Sequence, residues 1–115
     1  MSKIKIYHNP RCSKSRETLA LLQDKGQQPE VIEYLKDAPT AGDLLEIIDI
    51  LEGEPASLVR TKEDRYRELK FDLTSKETIA ENLAQHPELI ERPIVIYKGR
   101  AVLGRPPEKV LDLFS

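Results

Sequence analysis

The chain has 115 residues, 39% of them hydrophobic and 33% charged, and 18 Lys and Arg set against 20 Asp and Glu give a net charge of -2. That length suits one domain around one core, and the charge balance lacks the basic surplus that marks a nucleic-acid binder. The longest apolar runs, such as Ile94–Tyr97, fall far short of the ~20 residues of a membrane span, and MSKIKIYHNP offers no apolar segment before a small-residue cleavage site, so neither a membrane nor a secretory route is expected.

Ile4 and Ile6 alternate with Lys3 and Lys5 up to Tyr7, a period of two that predicts a first strand. His8-Asn9-Pro10-Arg11 then reads as a turn, with Pro10 stopping the ladder. Ser13 to Lys25 has helical spacing, with Leu19, Ala20, Leu21 and Leu22 on a broad face and Gly26 as its C-terminal cap. A second strand follows at Val31–Tyr34, so Cys12 lies at the strand-to-helix joint of a β-loop-α-β opening. Thr40-Ala41-Gly42-Asp43 can cap a helix carrying Leu44, Leu45, Ile47, Ile48 and Leu51, ended near Gly53. A short piece at Pro55–Val59 leads to Arg60, and the charged stretch Thr61–Leu69 reads as a solvated helix face. Thr74-Ser75-Lys76-Glu77 has the Thr-x-x-Glu form of a capping box and opens a helix with Ile79, Leu83 and His86, ended by Pro87. After Arg92-Pro93, two strands at Ile94–Tyr97 and Ala101–Leu103 flank a Lys98-Gly99 turn, and Gly104 closes the hairpin. Pro106 and Pro107 start a last helix, Glu108–Phe114, with Val110, Leu111 and Phe114 on its apolar side. The order β-α-β, helices, β-β-α predicts one α/β domain over 1–115 with an inserted helical block.

Cys12 is the sole cysteine, which excludes an internal disulfide framework and a cysteine zinc cage and makes a reducing cytoplasm the expected compartment. His8 and His86 are too few to make a metal site of their own. A cysteine just before a helix faces free backbone N–H groups and the positive end of the helix dipole. With Arg11, Lys14 and Arg16 close in sequence, these donors favour the thiolate, a nucleophile at neutral pH. The plainer reading is a buried thiol packed as a small hydrophobe. Asn9, Pro10, Arg11, Ser13, Lys14 and Ser15 are poor neighbours for a core residue and favour the reactive reading. Because Ser15 stands where a Cys-x-x-Cys pair would have its second thiol, any adduct on Cys12 needs an external thiol to resolve it. A Cys-x5-Arg phosphatase loop is excluded, since the sixth residue after Cys12 is Thr18.

Arg60, Arg92 and Arg105 each sit beside sequence punctuation, the last two before prolines. Each is either an exposed arginine in a weak surface pair or, if the three converge, part of a fork-shaped clamp for a tetrahedral oxyanion.

The set His8-x3-Cys12-x3-Arg16, Arg60, Arg92-Pro93-Ile94-Val95 and Gly104-Arg105-Pro106 resembles the glutaredoxin-coupled arsenate reductases, and the resemblance runs from residue 3 to about 113. It implies a thioredoxin-like α/β fold with a mixed four-stranded sheet and an all-helical insertion at roughly 40–90. It further implies that Arg92-Pro93 is a cis peptide facing the cysteine loop. By the same resemblance Cys12 is the catalytic nucleophile that forms a thiol-arsenate adduct, and Arg60, Arg92 and Arg105 bind the substrate. Ser15 matches a position that can hydrogen-bond the thiolate; His8 either supports the thiolate or is a turn histidine; Arg16 and Pro93 complete the motif. The implied partners are arsenate or a similar oxyanion, glutathione as reducing co-substrate, and glutaredoxin, in a cytoplasmic route of arsenic detoxification with no bound cofactor, metal or flavin. The alternative is a thiol protein of the same family that reduces another substrate, or a redox-sensing regulator that docks on a protein partner through a charged surface such as residues 62–70.

Overall fold

The alternation at the N-terminus places strand β1 (Lys5–His8) in the middle of a sheet, as the computed structural model, which describes residues 3–114, shows. Strands β2 (Glu30–Glu33), β3 (Ile94–Tyr97) and β4 (Arg100–Leu103) complete a four-stranded sheet in the order β2-β1-β3-β4. β2 runs parallel to β1, joined by the crossover helix α1 (Ser13–Asp24), while β3 is antiparallel to both β1 and β4. This is the mixed α/β sheet of a thioredoxin-like fold.

The register sorts side chains between two faces, as a period of two requires. Ile6, Val95 and Val102 form one cross-strand row and pack with Leu22 of α1 and with Val110 and Leu113 of the C-terminal segment. The row Tyr7, Ile94 and Leu103 faces the opposite layer, where helix α2 (Ala41–Ile50) contributes Leu44, Ile47 and Ile48. Helix α4 (Lys76–Gln85) adds Ile79, Ala80 and Leu83 to that layer. Between them, helix α3 (Asp64–Leu69) buries none of its residues and lends only Tyr66 and Leu69 to the edge of the core.

The capping of α2 follows the expected pattern: the Asp43 N–H donates to Thr40 Oγ1 at 3.0 Å and the Thr40 N–H to Asp43 Oδ2 at 3.1 Å. The helix stops at Ile50, short of Gly53, because Leu51 pairs with Ala101 and the Glu52 N–H donates to the Ala101 carbonyl at 2.9 Å, covering the outer edge of β4. At α4 the cap is Ser75, not Thr74: the Thr74 hydroxyl is engaged with Asp72 Oδ1 at 2.6 Å, so Ser75 Oγ receives the Thr78 N–H at 3.2 Å. His86 is the C-cap of α4, with Pro87 beginning a short 3₁₀ turn.

Three further boundaries differ from expectation. β1 continues through His8, which pairs with Glu33. β2 begins at Glu30 and leaves Tyr34 in the following turn, wholly buried. The last helix, Pro107–Phe114, is wound as a 3₁₀ helix. Pro106 and Pro107 supply no backbone N–H, and the first closed turn runs from the Lys109 N–H to the Pro106 carbonyl at 3.0 Å, three residues back.

Gly104 fills a place with no room for a side chain. Its N–H donates to the Pro93 carbonyl at 2.9 Å. A Cβ there would lie 2.6 Å from Thr18 Oγ1 and 2.8 Å from Pro93 Cγ. Thr18 is itself fully buried, with its hydroxyl donating to the Lys14 carbonyl at 2.8 Å. Gly104→Ala is therefore expected to cost about 1–3 kcal/mol through overpacking, read as a lower midpoint in urea unfolding. An unchanged midpoint would show that Thr18 and Pro93 yield freely.

Candidate functional site

Asn9 shapes the loop that delivers Cys12. Its carbonyl accepts the Cys12 N–H at 3.0 Å and its side-chain oxygen accepts the Arg11 N–H at 3.0 Å. Cys12 is extended (φ -97°, ψ 123°) and occupies the N-cap of α1, accepting the Arg16 N–H at 3.0 Å through its carbonyl. The Arg16 guanidinium turns back to the Pro10 carbonyl at 2.9 Å, stapling the loop. Lys14 pairs with Glu17 on the helix surface.

Ser15 is buried beneath this loop. Its Oγ lies 2.7 Å from His8 Nδ1 and accepts the Asn9 N–H at 3.0 Å. Burial lowers the His8 pKa, reinforced by Arg16 and opposed by Glu33, so the neutral imidazole is favoured. His8 is thus a buried strand residue tied to the helix start, and not a loose turn histidine. Ser15→Ala leaves two inward-facing partners without a mate and is expected to cost about 1–3 kcal/mol. Equilibrium unfolding checks this, and a loss below 0.5 kcal/mol, the scale of a surface change, would mean that water replaces the hydroxyl.

The Cys12 thiol is half-buried, and burial, the largest single influence, works against its ionisation. The Ser15 N–H, the positive charge of Arg92, the Lys14 N–H and the Arg92 guanidinium as donor act the other way, and together they bring the pKa below the ordinary thiol value. These N–H groups act on the charge without a closed capping hydrogen bond to sulfur. The cation that matters is Arg92, from the far end of the chain. The side-chain charges of Arg11, Lys14 and Arg16, expected from the sequence to act on the thiol, are not among the influences that shift it; Lys14 acts through its backbone N–H alone.

Arg60, Arg92 and Arg105 converge. All three line one open cavity of about 340 Å³ with Val59, Thr61, Lys62, Glu63 and Glu91. Cys12 is not among the lining residues; Arg92 is the wall shared by the cavity and the thiol. Arg60 is anchored by the Glu88 carbonyl at 3.1 Å and pairs with Glu63. Arg105 donates to the Arg92 carbonyl at 2.9 Å. Arg92 Nε is buried and, among the described residues, is the side-chain N or O atom of this kind without a hydrogen-bond partner. A buried donor left open in this way is costly. The Arg92–Pro93 bond is cis, as the resemblance implies, and Arg105–Pro106 is cis as well.

Three members of this group went unrecognised in the sequence. Tyr34 is buried with its phenol under the influence of Arg92, Arg60, Asn9 and Cys12, although desolvation dominates and raises its pKa. The sequence reads it only as the last residue of the second strand, Val31–Tyr34. Glu63 enters the arginine cavity from the charged stretch read as a solvated face, and Glu91 from the residues just before Arg92; no local pattern distinguishes them. Among the described residues no group of three or more His, Cys, Asp or Glu is placed to hold a metal, and no helix is long and apolar enough to cross a membrane.

The chain matches the model of the ArsC family over residues 7–113. It is 49% identical over 115 residues to the uncharacterised protein YfgD of Escherichia coli (strain K12), covering 96% of this chain and 95% of that one. It is 42% identical over 113 residues to an arsenate reductase of Neisseria meningitidis serogroup A, covering 96% and 97%. The solved structure of an arsenate reductase from Vibrio cholerae superposes with a TM-score of 0.90 at 45% identity, covering 97% of this chain and 98% of that one. With sequence, fold and the order of its motifs in agreement over nearly its whole length, the chain belongs to the ArsC family.

Proposed function

We propose that the protein is an arsenate reductase that uses Cys12 as nucleophile and glutathione with glutaredoxin as its reducing system. The observation that carries this reading is the convergence of Arg60, Arg92 and Arg105 on one cavity, with Arg92 reaching both that cavity and the acidic thiol. Guanidinium forks match the geometry of a tetrahedral oxyanion, and donors held in place before the substrate arrives stabilise charge as it develops. The names borne by relatives at 42–45% identity support the same substrate.

In the proposed cycle the Cys12 thiolate attacks arsenic. A sulfur–arsenic bond forms, and one arsenate oxygen leaves with protons as water. Glutathione then attacks the adduct. The Cys12 and glutathione sulfurs join in a mixed disulfide, and their two electrons take arsenic from the pentavalent to the trivalent state, released as arsenite. The chain has no second cysteine, so the mixed disulfide is opened by the glutaredoxin thiol. This restores the Cys12 thiolate and transfers the glutathione to glutaredoxin, from which a second glutathione removes it. A cytoplasmic setting supplies that thiol pool.

A coupled assay tests this reading. Reduced protein, arsenate, glutathione and glutaredoxin are mixed, and NADPH oxidation through glutathione reductase is followed. Arsenate-dependent turnover that needs both thiol components is the expected result. No turnover from a protein whose Cys12 still titrates as an acidic thiol would replace the reading with another substrate or a protein partner for the same thiol.

A further inference from the structure

The cavity that gathers three arginines also contains a carboxylate held between two of them. Glu91 Oε1 lies 3.6 Å from an Arg92 terminal nitrogen and 3.5 Å from an Arg105 terminal nitrogen, and it accepts the Arg92 backbone N–H at 3.3 Å. The Glu91 side chain is 22% exposed, and its backbone N–H is tied to the Leu58 carbonyl at 2.6 Å, so it is positioned and not trailing in solvent. A site built only to attract negative charge gains nothing from an acid in this place, since like charges at this range repel.

We propose that Glu91 is a specificity-determining residue: it accepts the hydrogen of a protonated tetrahedral oxyanion and so admits arsenate and phosphate while rejecting sulfate. The inference rests on the oxyanion reading of the cavity given above. At neutral pH arsenate and phosphate keep at least one acid hydroxyl, whereas sulfate has none. The guanidinium groups of Arg60, Arg92 and Arg105 suit the bare oxygens of such an anion. Glu91 supplies the complementary acceptor. Its contacts to the two arginines are longer than hydrogen bonds, so Oε1 retains lone-pair capacity for a hydroxyl. A sulfate oxygen placed there meets a carboxylate with no hydrogen between them. Sites that pair a polar group on the correct ligand reject an analogue lacking that group far more strongly than apolar pockets reject a changed shape. A carboxylate that served only to orient Arg92 and Arg105 would strengthen or weaken all tetrahedral anions alike.

The test is a calorimetric titration of the native protein and of Glu91→Gln with arsenate, inorganic phosphate and sulfate, at neutral pH and matched ionic strength, with no glutathione present. The native protein is expected to prefer arsenate and phosphate over sulfate by about tenfold or more, the scale of one hydrogen bond to a charged group. In Glu91→Gln the amide keeps the shape and can donate to sulfate, so the preference should shrink by a similar factor. A preference unchanged in Glu91→Gln overturns the proposal and leaves Glu91 an orienting residue. Should that variant fail to fold, the native protein decides alone: sulfate binding as tight as phosphate overturns the proposal. Selective phosphate binding by a protein that reduces no arsenate would sink the reductase reading and leave the role of Glu91 standing; reduction without selectivity would do the reverse.

Discussion

Cys12→Ser should yield a protein that folds like its parent and reduces no arsenate. The two halves of this expectation come from the same position. As N-cap of α1, residue 12 is a site where serine is among the most favourable residues, so the substitution should leave the thermal midpoint equal to the parent's or slightly above it. The chemistry, however, has no substitute. A serine hydroxyl stays protonated under the influences that ionise the thiol, and it cannot enter a disulfide. With no other cysteine in the chain, the loss should reach the 10⁵–10⁶-fold scale seen when an enzyme loses its nucleophile, about the floor of the coupled assay. A thiol-directed alkylating reagent should add no mass to this variant and one equivalent to the parent. Residual arsenate-dependent turnover in a preparation free of parent protein would remove Cys12 from the reaction.

Arg92→Ala is the second large effect and should appear in two separate readouts. Arg92 lowers the thiol pKa both by its charge and as a hydrogen-bond donor, against the upward push of burial. Its removal moves the titration upward, toward the ordinary thiol value, with the Ser15 and Lys14 N–H groups still opposing burial. Measured as the pH dependence of alkylation by iodoacetamide, the midpoint should rise, and the thiolate fraction at neutral pH should fall with it. The same substitution removes the wall between sulfur and the arginine cavity, so turnover should drop on the order of 10²–10³-fold, as when one preorganised donor to developing charge is lost. Raising the pH recovers the thiolate but not the lost donor. Activity of Arg92→Ala at alkaline pH should therefore remain well below the parent's. Full recovery there would confine Arg92 to tuning the thiol. Arg92→Lys separates charge from fork: a lysine keeps the charge but not the planar pair of donors, so it should restore the thiol titration more fully than the rate.

The parts legible in the sequence are those governed by neighbours in the chain. The period of two in β1, the Thr40–Asp43 cap, the Lys98-Gly99 turn with both residues at positive φ, and the thiol at a helix start all depend on a few consecutive residues. Misreadings arose where a nearby side chain or a tertiary contact intervened. Asp72 takes the Thr74 hydroxyl and moves the cap to Ser75; Ala101 draws Leu51 out of its helix; the C-terminal segment is wound tightly behind its prolines. The candidate site shows the same division. Cys12, Arg60, Arg92 and Arg105 could be nominated one by one, yet their convergence depends on how β3, β4 and the 59–63 segment meet, which spacing does not encode. Tyr34, Glu63 and Glu91 are ordinary in their local contexts and acquire meaning only in space.

The distribution of the site along the chain also bears on protein synthesis. β1 and Cys12 leave the ribosome early, whereas Arg92 lies in the segment just before β3 and reaches the cysteine loop only once that strand has docked against β1. Until then the thiol lacks the Arg92 cation, so more of it is protonated at neutral pH and it reacts more slowly with oxidants, electrophiles or arsenic species. Full reactivity thus waits for Arg92, and a chain stalled before that residue exposes a cysteine with a smaller thiolate fraction than the folded protein holds.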